Sequence, residues 1–124
     1  MQKLNINIPT RTTFRAIPFT VERGETEETL APVNLNNVEF FCQFRKNGET
    51  GTLMRDTKSG DGITHDNPAQ GIASVDEFYL DWPAGTKYYM DVIMVDSSFT
   101  PPMRDKIMEV LITVGGTATQ YSIT

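Results

Sequence analysis

The chain has 124 residues, 39% of them hydrophobic and 22% charged, with seven prolines; that is one globular domain's worth, far from the composition of disordered chains. The net charge of −5 comes from 16 acidic and 11 basic residues scattered along the sequence, and nucleic-acid affinity rests mostly on neutralised phosphates, so no nucleic-acid role is expected. A single cysteine, Cys42, excludes an intrachain disulfide, and no apolar run approaches the roughly 18 residues of a membrane span.

At the N-terminus Leu4, Ile6 and Ile8 alternate with Asn5 and Asn7, a strand pattern without the apolar core or cleavage site of a signal peptide. A soluble protein made and kept in a cytoplasm is therefore expected. After Pro9 the pattern resumes from Phe14 to Val21, where Pro18 has no amide hydrogen to give and suits an edge strand or bulge. The acidic stretch Glu22–Thr29 lacks an apolar period and reads as a solvated loop. Val38–Arg45 is a strand with Val38, Phe40, Cys42 and Phe44 inward and Glu39, Phe41, Gln43 and Arg45 outward. Asn47-Gly48 marks a turn, Leu53–Asp56 a short strand, and Lys58–Gly62 a loop rich in residues that tolerate positive φ. Ile63 and Gly71-Ile72 open further short strands, and Phe78, Leu80 and Trp82 alternate toward a corner at Pro83–Gly85.

The longest signals come last. Lys87–Val95 puts Tyr88, Met90, Val92 and Met94 on one face, and Met103–Val114 does the same with Met108, Val110, Ile112 and Val114. The link Asp96–Pro102 joins them as a hairpin. Two such stripes need a second apolar layer over them, because a lone hairpin is marginal in water. The spacing predicts an all-β fold, an immunoglobulin-like antiparallel sandwich of about seven to nine strands. Tyr88, just past the Gly85 corner, is placed for its hydroxyl to clamp that corner.

Residue types that carry chemistry are sparse. A serine or cysteine nucleophile needs a base, and the one histidine, His65, sits beside Asp66-Asn67-Pro68 in a turn and is expected at the surface. Cys42, boxed by phenylalanines, is expected to be inert. Asp61, His65 and Asp66 do not follow the spacing of a calcium loop, and Gly115-Gly116 is not part of a phosphate-binding motif. Asp91 and Glu109 can face each other across the hairpin, but on its outer side rather than in a cleft. No metal, cofactor or enzymatic activity is expected.

The outer side of the hairpin also carries Tyr89, Ile93, Val95, Ile107 and Leu111. An apolar cluster of that kind marks a contact surface, to be covered by a partner subunit or by the segment Glu22–Asn37. Expected partner contacts are Tyr89, Ile93 and Leu111 there, Phe99, Pro101, Pro102 and Met103 at the hairpin tip, and Tyr121 on a C-terminal arm. Residues 1–114 are expected to form the domain, and 115–124 an arm able to add a strand to a neighbour's open edge.

Gly85-x-x-Tyr88-Tyr89-x-Asp91-Val92, the polar link, and Leu111–Val114 followed by Gly115-Gly116-Thr117-x-Thr119 resemble the closing hairpin of the Ig-like N-terminal domain of phage baseplate upper proteins and related small prophage proteins. Arg11–Phe14, Val33–Val38, Phe44-Arg45, Gly62-Ile63 and Gly71-Ile72 follow in the same order as in that family. Val110 stands where the family has glycine, and the link is more apolar than the usual Asp-Gly turn. The resemblance implies a structural component of a tailed phage virion, assembled in the host cytoplasm. It would serve as an adaptor or attachment domain in the tail or baseplate, contacting other virion proteins and further copies of itself. A capsid decoration or head-fibre anchoring protein is the nearest alternative. A carbohydrate-binding module would need an aromatic platform such as Trp82 with Tyr79 or Tyr89.

Overall fold

Alternation of apolar and polar side chains sets the long strands in the computed structural model, which describes residues 1–118. Twelve strand segments occur among them: β1 (Gln2–Pro9), β2 (Thr12–Phe14), β3 (Ile17–Thr20), β4 (Glu22–Arg23), β5 (Ala31–Pro32), β6 (Val38–Lys46), β7 (Leu53–Ser59), β8 (Gly62–Asn67), β9 (Ile72–Val75), β10 (Phe78–Leu80), β11 (Thr86–Asp96) and β12 (Met103–Gly115). Three short 3-10 turns, Glu27–Thr29, Leu35–Asn37 and Pro68–Gln70, lie between strands.

Eight strands form one curled sheet in the order β1-β12-β11-β6-β7-β8-β9-β3, flanked by the two-stranded ladders β10-β2 and β4-β5. The fold is all-β. Its pairing is mixed rather than wholly antiparallel: β1 runs parallel to β12 over its whole length, and β7 runs parallel to β8 at Lys58–Gly62 and Ser59–Ile63. Several of the additional strands are only two to four residues long, too short to leave an alternating signature. Pro18 does lie on an edge strand, since β3 pairs only with β9 in this sheet.

Curling brings inward stripes face to face. Phe40, Cys42 and Phe44 of β6, Met90 and Val92 of β11 and Met108, Val110 and Ile112 of β12 are fully buried against Ile63, Ala73, Val75, Phe14 and Leu80. Each large apolar side chain so buried contributes about 1.5–3 kcal/mol. At the corner end Phe14, Phe44, Phe78, Trp82 and Tyr88 form an aromatic cluster, with Trp82 and Tyr88 4.9 Å apart and the Arg55 guanidinium 4.2 Å above Phe78. The Tyr88 hydroxyl donates to the Pro83 carbonyl at 3.1 Å, the corner clamp that its position predicts.

The segment between β3 and β6 closes the inner side of the fold rather than covering the outer side of the hairpin. Val21, Val33 and Leu35 enter the core, and Arg23 bonds Asp96, which shares the inward parity of Met94. Gly71 holds this segment down. Its φ of 70° is left-handed, its carbonyl accepts from Val21 N–H at 2.8 Å, and a Cβ there would come within 2.4 Å of the Val21 carbonyl oxygen.

Candidate functional site

Five neighbouring strands, β1, β12, β11, β6 and β7, leave one broad face of the sheet turned away from the core. Register sorts its side chains into three rows. Asn5, Leu111, Tyr89, Arg45 and Leu53 align in the first, and Lys3, Glu109, Asp91, Gln43 and Asp56 in the second. Lys106, Ile93, Phe41 and Lys58 form the third. Leu111, Leu53 and Phe41 are 53%, 44% and 39% exposed, so apolar groups flank a charged band.

That band is internally bonded. The Tyr89 hydroxyl donates to Glu109 Oε2 at 2.6 Å and accepts from Lys106 Nζ at 2.9 Å, while Lys106 also lies 3.5 Å from Asp91 and Lys3 lies 3.3 Å from Glu109. Burial, and then the bond to Glu109, push the Tyr89 phenol up to about 12. The same hydroxyl, with Lys3, holds the Glu109 carboxyl below its ordinary range. Lys106 is held above its own range by the Tyr89 oxygen and the Asp91 carboxylate. Asp91 and Glu109 do face each other, but both charges are matched by lysines on an open face. That arrangement orders the sheet surface and gives neither carboxylate the separate environment that acid and base roles require.

Two of the expected contacts, Tyr89 and Met103, and Ile107 of the outer cluster make contacts within the chain. Tyr89 is only 8% exposed, packed under Lys106 and tied to Glu109, so its ring is taken up within the chain. Ile107 is the extra residue of a bulge, because Val92 pairs with Met108 while Ile93 pairs with Lys106; it packs against the core instead of the outer face. Met103 is half-buried, with its sulfur 3.7 Å from an Arg23 guanidinium nitrogen. Ile93 is half-buried beside Phe41, and Leu111 is exposed. Phe41 and Leu53 belong to this face as well; pairing β6 and β7 with the hairpin was the missing information.

At the hairpin tip Phe99, Pro101 and Pro102 are exposed, with Arg23 stacked 5.0 Å over the Phe99 ring. The base of the tip is fixed by Asp96, which is buried and accepts from the Ser98 hydroxyl at 2.6 Å, the Ser98 amide at 3.0 Å and Arg23 at 3.1 Å. The Ser98 hydroxyl, followed by its amide and Arg23, holds the Asp96 carboxyl below its ordinary value. Tyr121 lies outside the described residues. The start of the arm is joined to the domain, since Gly115 ends β12 and the Thr117 hydroxyl donates to the Thr10 carbonyl.

One pair of chemistry-bearing residues comes together that the sequence did not suggest. His65 lies within β8, half-buried rather than in a surface turn, with its Nε2 2.8 Å from the Ser59 hydroxyl. Ser59 is part of β7, which runs three residues beyond the expected Asp56 end. The same hydroxyl accepts the Phe40 amide at 2.8 Å, and the His65 ring packs edge-on to Phe40. The nearby Asp76 carboxylate takes the Thr64 hydroxyl instead of orienting the imidazole. This pair closes the end of the β6–β7 ladder. Among the described residues, no three potential metal ligands gather. Trp82 and Phe78 point into the aromatic cluster whereas Tyr79 is exposed, so the aromatic platform of a glycan site is not assembled from them.

No model of a known protein family matches the chain, and no curated protein matches it.

Proposed function

We propose that this chain is a non-enzymatic assembly module of a tailed phage particle, an adaptor or attachment domain of the tail or baseplate that docks through the outward face of its large sheet. The observation that carries the docking role is the exposure of Phe41, Leu53 and Leu111 around an ordered charged band on five adjoining strands. Apolar groups set among fixed polar ones favour a specific protein partner, with the apolar area supplying affinity and the charges supplying register. The biological setting rests on the resemblance of the ordered motifs to the phage baseplate family, and the exposed Phe99–Pro102 tip offers a second contact.

Gold-labelled antibody on purified particles tests this reading. Label at the tail end supports it; label over the head surface would replace it with capsid decoration or head-fibre anchoring. Particles that carry none of the chain would overturn the structural role altogether.

A further inference from the structure

We propose that two copies of this chain join edge to edge, β1 of one running antiparallel to β1 of the other about a two-fold axis through Asn5. The inference goes beyond the docking reading, because it concerns an edge of the large sheet and not its outward face.

Among the described residues that sheet has two edges, β1 and β3. β3 is four residues long and carries Pro18 within it, the kind of short, proline-bearing edge that resists pairing. β1 is not blunted in this way. It runs for eight residues beside β12 without a bulge, its proline is the last of them, and every one is at least partly exposed. Its one charged side chain, Lys3, is bonded back to Glu109 of β12 at 3.3 Å.

Backbone direction shows what this edge offers. The Thr10 amide donates to the Gly115 carbonyl at 2.8 Å, so the Pro9 carbonyl points the other way, where it accepts the Thr12 hydroxyl at 2.7 Å. Alternation along the unbroken ladder then turns the N–H and C=O of Leu4, Ile6 and Ile8 toward β12, and those of Lys3, Asn5 and Asn7 toward the open side. These three residues are spaced symmetrically about Asn5. An axis through Asn5 is the one antiparallel placement that sets all three against all three, Asn5 on Asn5 and Lys3 on Asn7 of the second copy, for six backbone hydrogen bonds.

Side chains agree with that register. Leu4 and Ile6, half-buried against the core, face Ile6 and Leu4 of the second copy and gain cover. Lys3 faces a neutral amide, so no like charges are opposed. β1 thus carries its own complement, in hydrogen-bonding groups and in side chains. The contact is isologous and closed, which stops association through this edge at a dimer and joins the outward faces of the two copies into one.

Sedimentation velocity on the full chain across protein concentration, together with oxidative cross-linking, tests the proposal. A monomer–dimer equilibrium is expected. Asn5→Cys should form a disulfide-linked dimer, since opposed residues of a hydrogen-bonded antiparallel pair lie about 5.5 Å apart at Cα, within disulfide reach. Asn7→Cys should not, because the two copies of residue 7 are offset by four residues at roughly 3.4 Å each. The native Cys42 is buried and does not compete. Asn7→Lys, which sets a like charge against Lys3 of the second copy twice per dimer, should weaken dimerisation about tenfold, whereas Asn7→Glu at the same site should leave it intact or tighter. Melting temperatures of the variants separate a lost dimer from a lost fold. A monomer at every concentration up to about 1 mM, dimerisation that Asn7→Lys leaves unchanged in a folded protein, or cross-linking at residue 7 rather than at residue 5 would overturn the proposal.

Discussion

Cys42 shows how far single residues could be read directly. Its place between Phe40 and Phe44 predicts an inert thiol, and the fold buries it with the pKa pushed up to about 12, chiefly by loss of solvent. In the native protein it should resist a thiol reagent at pH 8 and react fully once denatured; rapid native labelling would contradict its burial. Asp96 was legible only as part of a polar link, because its charged partner Arg23 lies 73 residues away in sequence. Replacing Asp96 with Ala removes three accepted bonds and leaves Arg23 without its carboxylate partner, an expected loss of about 2 kcal/mol in denaturant unfolding. Its folded pKa lies below the ordinary value of 3.8. The stabilisation is thus complete above that value and is lost as pH falls from it through the folded pKa. An Asp96→Asn variant should lose less stability than the parent over that acid window, measured by melting temperature against pH.

Among the elements, those with long periodic runs were fully legible. The inward stripes of β6, β11 and β12 are the ones read from alternation, since a period of two along nine or more residues has one consistent assignment. Two bulges escaped that reading. One at Ile107 turns an apparent outer residue inward, and one between Phe44 and Arg45 lets Arg55 reach the inner aromatic cluster while Leu53 stays outside. Bulges shift parity without changing composition, so periodicity alone does not reveal them. Short ladders such as β4-β5 and the parallel β7–β8 contact are likewise set by tertiary approach. Gly71 is the clearest case: it reads as a strand opener, yet its role is to let Val21 and Val33 pass against it. Gly71→Ala is expected to cost at least about 2 kcal/mol, from the left-handed φ together with the clash at the Val21 carbonyl. A chemical denaturation midpoint unchanged from the parent would show that the segment does not lie there.

For the whole molecule, the two-layer core is what lets one face of five strands stay free. With Met90, Val92, Met108 and Val110 satisfied inside, the opposite residues are released from packing duty and can carry Phe41, Leu111 and a bonded band of charge. That division was half visible: the sequence marks an outer apolar cluster on the hairpin, but the pairing of β6 and β7 beside it, which widens the cluster with Phe41 and Leu53 and adds Arg45 and Lys58, is a matter of long-range register. Electron cryo-microscopy of the purified particle at side-chain resolution tests the central claim most directly. The account predicts density for this chain in the tail or baseplate, with Phe41, Leu53 and Leu111 in van der Waals contact with a neighbouring subunit. The chain seated with that face open to solvent would contradict it.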